Sequence, residues 1–199
     1  SSSYMYFRGY NGTERNMWVT DGTVAGTREL ININPGDDSI SELTATNRGI
    51  FYRRTESGVI GYYFTDRVTG VETRLTTIDP ANGAAFVHDP KPLSGTLIFA
   101  LHNDPTPNCS WQYWKSDGTA AGTMMVKDIN PGGDGSAEYL TVVGNAVYFH
   151  ATDGTNGLEL WKSDGTAAGT VMVKDINLSG SSNPSQLTAF GNTIYFAAT

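Results

Sequence analysis

The sequence predicts an all-β fold, a β-propeller of about four four-stranded blades, on three observations. The first is a ten-residue stretch, Trp-Lys-Ser-Asp-Gly-Thr-Ala-Ala-Gly-Thr, written identically at residues 114–123 and 161–170. A close copy stands at 18–27 and a worn one at 63–73. Their aspartates, Asp21, Asp66, Asp117 and Asp164, are separated by 45, 51 and 47 residues, a period that marks an array of supersecondary units. The second observation is composition: 23 glycines with only 17% charged residues suit short strands joined by tight turns. The third is pattern, since apolar and polar residues alternate in short runs and no stretch carries a helical period.

The best-formed copy, residues 136–176, shows the elements in order. Residues 137–143 are a strand candidate, followed by the tight-turn pair Gly144-Asn145. Residues 146–151, Ala-Val-Tyr-Phe-His-Ala, are rich in β-formers. Asp153-Gly-Thr-Asn-Gly157 suits a hairpin loop. Leu158-Glu-Leu-Trp-Lys162 alternates as a half-buried strand does. The Asp164-Gly-Thr turn then leads into a fourth strand ending at Ile176. One copy is thus four short strands in an up-and-down meander.

The other copies follow the same plan in one array, near 4–40, 41–84, 85–135 and 136–180, with a partial copy at 181–199. The aromatic second strand recurs at Phe7, Tyr52, Phe99, Phe149 and Phe196. A connector of Pro, Gly, Asn or Ser follows each fourth strand, and proline stops the ladder because it has no N–H to donate. Units of ~40–50 residues with four strands are the pattern of propeller blades, each burying its faces only against a neighbour. A β-solenoid or two sandwiches rank behind this. The chain starts and stops on a second strand, so there are five of these and four of every other kind. Three arrangements fit: a cut from a longer array, two chains completing each other's blades as a homo-oligomer, or the last strand displacing the first.

A net charge of −7 argues against a nucleic-acid surface and against attachment to anionic lipid. No apolar run approaches the ~20 residues of a membrane span, so no membrane insertion is expected. The single cysteine, Cys109, excludes an intrachain disulfide and has no nucleophile signature around it. The opening Ser-Ser-Ser-Tyr is not a signal peptide.

In the repeated turn, each aspartate is placed to accept backbone N–H groups two or three residues ahead. The turn resembles the Asp-box hairpin of many propeller blades, which implies that Asp21, Asp66, Asp117 and Asp164 are structural. Calcium (Ca) binding is the alternative. The spacing does not support it, because each turn offers one acid where calcium wants several oxygens together. No cofactor and no metal are expected. The longer pattern, Leu158-Glu-Leu-Trp-Lys-Ser-Asp-Gly-Thr-Ala-Ala-Gly-Thr and then Val-Lys-Asp-Ile, resembles the bacterial ELWxxDGT repeat family. The likeness is strong in the third and fourth copies and good in the first. It is weak in the second, where Tyr63 replaces Trp and Arg67 replaces Gly. The resemblance implies an extracellular or cell-surface repeat array and hands over no catalytic residue.

Catalytic patterns are thin. His88, His102 and His150 share no metal-ligand spacing, and neither a Gly-x-Ser-x-Gly elbow nor a phosphate loop is present. Adjacent carboxylates occur at Asp37-Asp38, in a connector. A propeller glycoside hydrolase would need its carboxylates from distant blades. Arginines Arg53, Arg54, Arg67 and Arg74 gather in the second copy, but two are adjacent and face opposite sides of a strand. Trp18, Trp114 and Trp161 recur at one position, which suits packing between blades or, less readily, sugar stacking. Sequons at Asn11, Asn108 and Asn177 follow from asparagine-rich turns.

One departure breaks the repeat. Residues 102–113 replace the short Asp-Gly-Thr-Asn-Gly loop and add two prolines, Trp111 and Tyr113. Loops that interrupt an array on one face are common binding elements. A unique ligand site is therefore expected at His102, Asp104, Trp111 and Tyr113. The expected function is a non-catalytic recognition or adhesion module with a glycan or surface partner. An architectural spacer of a large surface protein comes next, and a hydrolase fragment third.

Overall fold

A computed structural model describes residues 4–10, 12, 15–31, 39–56, 59–78, 86–102 and 111–199. Among the described residues there are 17 strands and no helix. The chain divides into two compact units, Ser1–Ile78 with Gly118–Gly122, and Asp79–Asp117 with Thr123–Thr199.

In the first unit, β1 (Met5–Tyr10), β2 (Arg15–Thr20) and β3 (Arg28–Ile31) form a three-stranded antiparallel meander. Strands β4 (Ser39–Ala45), β5 (Gly49–Glu56), β6 (Val59–Asp66) and β7 (Glu72–Ile78) form a four-stranded one. The second unit holds two more four-stranded meanders. The first is β8 (Phe86–Leu93), β9 (Thr96–His102), β10 (Trp111–Ser116) and β11 (Met124–Lys127). The second is β12 (Glu138–Val143), β13 (Ala146–Thr152), β14 (Leu158–Ser163) and β15 (Val171–Lys174). A hairpin of β16 (Ser185–Phe190) and β17 (Thr193–Ala197) follows. Each sheet takes its strands from one consecutive stretch of chain.

Register makes the copies structural equivalents. Phe7 pairs with Trp18, Tyr52 with Tyr63, Phe99 with Trp114 and Phe149 with Trp161. The third strand slips against the fourth at one place in every sheet, just before Trp18, Tyr63, Trp114 and Trp161. A second slip, in each first strand, centres on Glu42, Asp89, Tyr139 and Gln186, with φ of 55°, 51°, 58° and 54°. None of these is glycine, and a left-handed conformation costs an L-residue about 1–2 kcal/mol. Bulges bend a strand and sharpen its twist, and here the bend is repeated copy by copy.

Each unit has its own core. Met17, Val19, Leu30, Ile31, Ile40, Ile50, Tyr52 and Tyr63 form the first, joining the two sheets of that unit. The second joins the β8–β11 and β12–β15 sheets through residues that include Ile98, Tyr113, Val126, Ile129, Val147, Phe149 and Trp161. Trp161 is 6% exposed, and the ring of Tyr113 stacks on Phe149 at 4.8 Å. Trp161 therefore packs between sheets, as large aromatic faces do when an apolar neighbour is available.

The connectors after the fourth strands are tied down the same way twice. Gly133 donates to the Asn130 carbonyl and Gly180 to that of Asn177, at 3.0 and 2.9 Å. The Asn130 and Asn177 amides donate to the carbonyls of Asp134 and Ser181. Asp134 Oδ1 and Ser181 Oγ then accept the backbone N–H that opens the third strand, from Trp111 and Leu158 respectively. Glu159 of β14, fully buried, also holds the second of these connectors. It accepts from Ile176 N at 3.1 Å, Ser182 N at 2.9 Å and Ser182 Oγ at 2.6 Å. A carboxylate away from water is tolerable when its lone pairs are filled in this way.

Candidate functional site

The turns at Asp21, Asp66 and Asp164 are each closed through one carboxylate oxygen by their own loops. Asp164 Oδ1 accepts Thr166 N at 2.9 Å and Thr166 Oγ1 at 2.7 Å. Gly169 N donates to Thr166 Oγ1, and Thr170 Oγ1 bonds both the Thr166 carbonyl and Ser163 Oγ. Residues around Asp21 repeat this bond for bond, with Thr23, Gly26, Thr27 and Thr20 in the corresponding roles. The backbone bends sharply at Gly22, Gly118 and Gly165, with φ of 90°, 91° and 88°, a region open to glycine. In the worn copy Asp66 takes Val68 N, Thr69 N and Thr69 Oγ1. Bonds from Thr23, from Thr69 and from Thr166 hold the carboxyls of Asp21, Asp66 and Asp164 below the usual carboxylate range. Asp153, in the short loop of the fourth copy, is also held low. Partial burial pushes it up, but the Asn156 and Thr155 hydrogen bonds outweigh that. Among the described residues no group of three His, Cys, Asp or Glu side chains is placed to share a metal ion.

At the break in the repeat, the structure brings His102 and Trp111 together and adds His88. His102 and Trp111 are cross-strand partners, with ring centroids 5.0 Å apart. The exposed His88 ring also meets the indole, edge-on at 5.3 Å. Trp111 is half-buried, and its backbone N–H is held by Asp134 Oδ1 at 2.8 Å. The expected four-residue site is corrected at Tyr113. Strand β10 already starts at Trp111, so Tyr113 is a strand residue two places on and fully buried, stacked on Phe149. Burial pushes its hydroxyl well above the usual tyrosine range, and its ring offers no face to a ligand. Asp104 and Cys109 lie outside the described residues, as do Asp37, Asp38, Asn11 and Asn108.

The arginines of the second copy separate as the strand alternation requires. Arg53 pairs with Glu42 at 3.7 Å on one face of β5. The buried Arg54 bonds both oxygens of Glu72 at 3.2 Å on the other, where the Tyr52 hydroxyl also donates to Glu72. Arg53 and Arg54 thus lie apart, whereas Arg54 and Arg74 both approach the Tyr63 ring, at 5.8 and 5.9 Å from its centre.

Sequence reasoning missed two features. His88 joins the site because β8 and β10 flank β9, a neighbourhood visible only once strand order is known. The four bulges were invisible because Glu, Asp, Tyr and Gln share no signature for a left-handed backbone. They display Glu42, held by the Tyr62 hydroxyl at 2.9 Å, Asp89, paired with Lys91, and Tyr139, which His150 meets edge-on at 4.8 Å.

The fold is that of β-propeller blades. No family model and no curated protein matches the chain. Solved structures that match include β-propeller proteins. One from a structural and mechanistic study of two prolyl endopeptidases is 14% identical, with a TM-score of 0.52 over 85% of this chain and 24% of its own. An uncharacterized protein of Listeria monocytogenes is 14% identical, with a TM-score of 0.52 over 87% of this chain and 51% of its own. TolB of Acinetobacter baumannii is 11% identical, with a TM-score of 0.44 over 81% of this chain and 38% of its own. The chain thus spans between about a quarter and a half of the length of these structures. Among the described residues no helix is long and apolar enough to cross a membrane.

Proposed function

We propose that the chain is a non-catalytic recognition module of the ELWxxDGT repeat type, displayed outside a bacterial cell, with carbohydrate as its ligand. The supporting observation is the His88–Trp111–His102 cluster at the one place where the array is interrupted. A half-buried indole with two imidazoles against it offers an apolar surface and flanking hydrogen-bond groups, the combination that holds a sugar ring and its hydroxyls. The bonds that close the aspartate turns support a structural role for the acids that repeat. An architectural spacer in a larger surface protein is the second reading, favoured by the same bonds.

A glycan array tests the two. A lectin binds a defined glycan set, and His88→Ala weakens that binding at least tenfold with an unchanged melting temperature, because His88 is exposed. Tyr113→Phe leaves the affinity alone. A blank array, or binding indifferent to His88→Ala and Trp111→Phe, refutes the carbohydrate site and returns the weight to the spacer.

A further inference from the structure

Asp134 ties the connector after β11 to the His88–Trp111–His102 cluster and keeps one carboxylate oxygen unused. Its Oδ1 accepts Trp111 N and Ser136 N, both at 2.8 Å. Its Oδ2 takes no hydrogen bond among the described residues and is not a buried atom. A carboxylate oxygen open to solvent is thus held on the same carboxyl group that grips the backbone of the indole-bearing residue.

Closing the connector does not call for an acid. One repeat on, the same place is Ser181, whose hydroxyl accepts Leu158 N at 2.9 Å and opens β14 as Asp134 opens β10. Asn177 and Asn130 hold the two connectors alike, through the Ser181 and Asp134 carbonyls. What the acid adds in the third copy is a second acceptor and a negative charge. The sequence around the cluster has no spare fixed cation to offset that charge. Residues 86–136 contain no arginine and three lysines, against five aspartates. Lys91 pairs with Asp89. Lys115 Nζ donates to the Gly165 carbonyl at 2.9 Å and Lys127 Nζ to the Thr170 carbonyl at 2.8 Å. Each lysine is already engaged.

We propose that the cluster takes a neutral pyranose, that Asp134 Oδ2 accepts hydrogen bonds from its hydroxyls, and that acidic sugars are turned away. The inference rests on the carbohydrate reading of the cluster and narrows it. The indole meets the apolar C–H surface of the sugar ring. Each neutral imidazole brings one donor and one acceptor, whereas an ionised carboxylate only accepts. A hydroxyl edge supplies the donor that Oδ2 needs. A uronate carboxylate supplies none and meets a like charge with no counter-ion beside it.

Calorimetric titration of the 199-residue chain tests this with matched pairs of oligosaccharides: glucan and glucuronan, mannan and mannuronan, galactan and galacturonan fragments. The buffer is set at about pH 8, where free imidazole is uncharged. The neutral member of the preferred pair should bind at least about tenfold more tightly than its uronate. Asp134→Asn keeps Oδ1 for Trp111 N and Ser136 N and puts an N–H donor where Oδ2 stands. It should weaken the neutral sugar about tenfold but not the uronate, so that the preference disappears while the melting temperature holds. Asp134→Ser, on the pattern of Ser181, should lose the preference in the same way. Uronates that bind the wild-type chain as well as their neutral partners overturn the inference and leave the carbohydrate reading standing. A preference that survives both variants, with both affinities falling together, also overturns it and makes Asp134 a prop for Trp111. A chain that binds no member of any pair overturns both readings.

Discussion

Glu159→Leu should loosen the connector after β15 and leave the rest of its sheet folded. The wild-type carboxylate accepts from Ile176 N, Ser182 N and Ser182 Oγ at 3.1, 2.9 and 2.6 Å in a site with no exposure. Leucine has a comparable volume, so the loss is one of hydrogen bonding. Ser182 is cushioned, because its N–H also reaches the Leu158 carbonyl at 3.0 Å and its hydroxyl lies 3.4 Å from the same oxygen. Ile176 N is the donor whose acceptor disappears. Ile176 is 39% exposed, so water can meet its N–H and the cost there stays near the low end of the about 1–3 kcal/mol of an unmet buried donor; with the weakened bonds of the buried Ser182 the total is about 2 kcal/mol. Glu159→Gln keeps one carbonyl oxygen and turns a charged acceptor into a neutral one, at about 1 kcal/mol. The repeat already tolerates amides here, since Gln112 and Asn16 occupy the equivalent positions. Urea unfolding should separate the two variants by about 1 kcal/mol. Hydrogen exchange should show the Leu variant losing protection first at Ile176 and Ser182. Equal stability of the two variants, or exchange that quickens evenly across the sheet, would falsify the anchoring role.

Two further outcomes follow from the aspartate turns. At Gly169 an added Cβ would stand 2.1 Å from Asp164 Oδ1, so Gly169→Ala should expel the carboxylate, expose the Thr166 amide to exchange and lower the melting temperature. Gly132→Ala, whose nearest neighbour would be 3.9 Å away, should do neither. The carboxyls of Asp21, Asp66, Asp153 and Asp164 are held below their ordinary value in the fold. The unfolded chain therefore binds protons first, and the stability these groups add is present at neutral pH and lost as pH falls from about 4 through the folded values. The urea midpoint should drop over that range. The drop should shrink in an Asp66→Asn/Asp153→Asn double variant. A parallel pH profile in that variant would exclude these carboxyls as its source.

The aspartate turns and the strands they join were legible because their causes are local. An Asx turn needs only Asp, Gly and Thr at close spacing, and Leu158-Glu-Leu-Trp alternates within four residues. That Phe149 and Trp161 each recur at a fixed place followed from the repeat; that they face each other across β13 and β14 came with the register. Trp111 and Tyr113 show where this stopped. They stand two places apart on one strand, and alternation puts both on one face. That Trp111 stays half-buried against two histidines while Tyr113 vanishes under Phe149 depends on strands β8 and β13, supplied by distant sequence.

By itself the sequence determined the unit: four short strands, an aspartate staple and an aromatic pair, repeated at a period that forces each sheet to seek a neighbour. Only the tertiary structure decided which members of the repeat are covered. Val126 and Val173 have the same local sequence around them, yet one is buried and the other open, because burial is a property of what packs against a residue and not of the residue. The left-handed bulges at Glu42, Asp89, Tyr139 and Gln186 belong to the same class. A backbone that bends to lie beside the next sheet answers to that neighbour, and no residue type in the strand announces it.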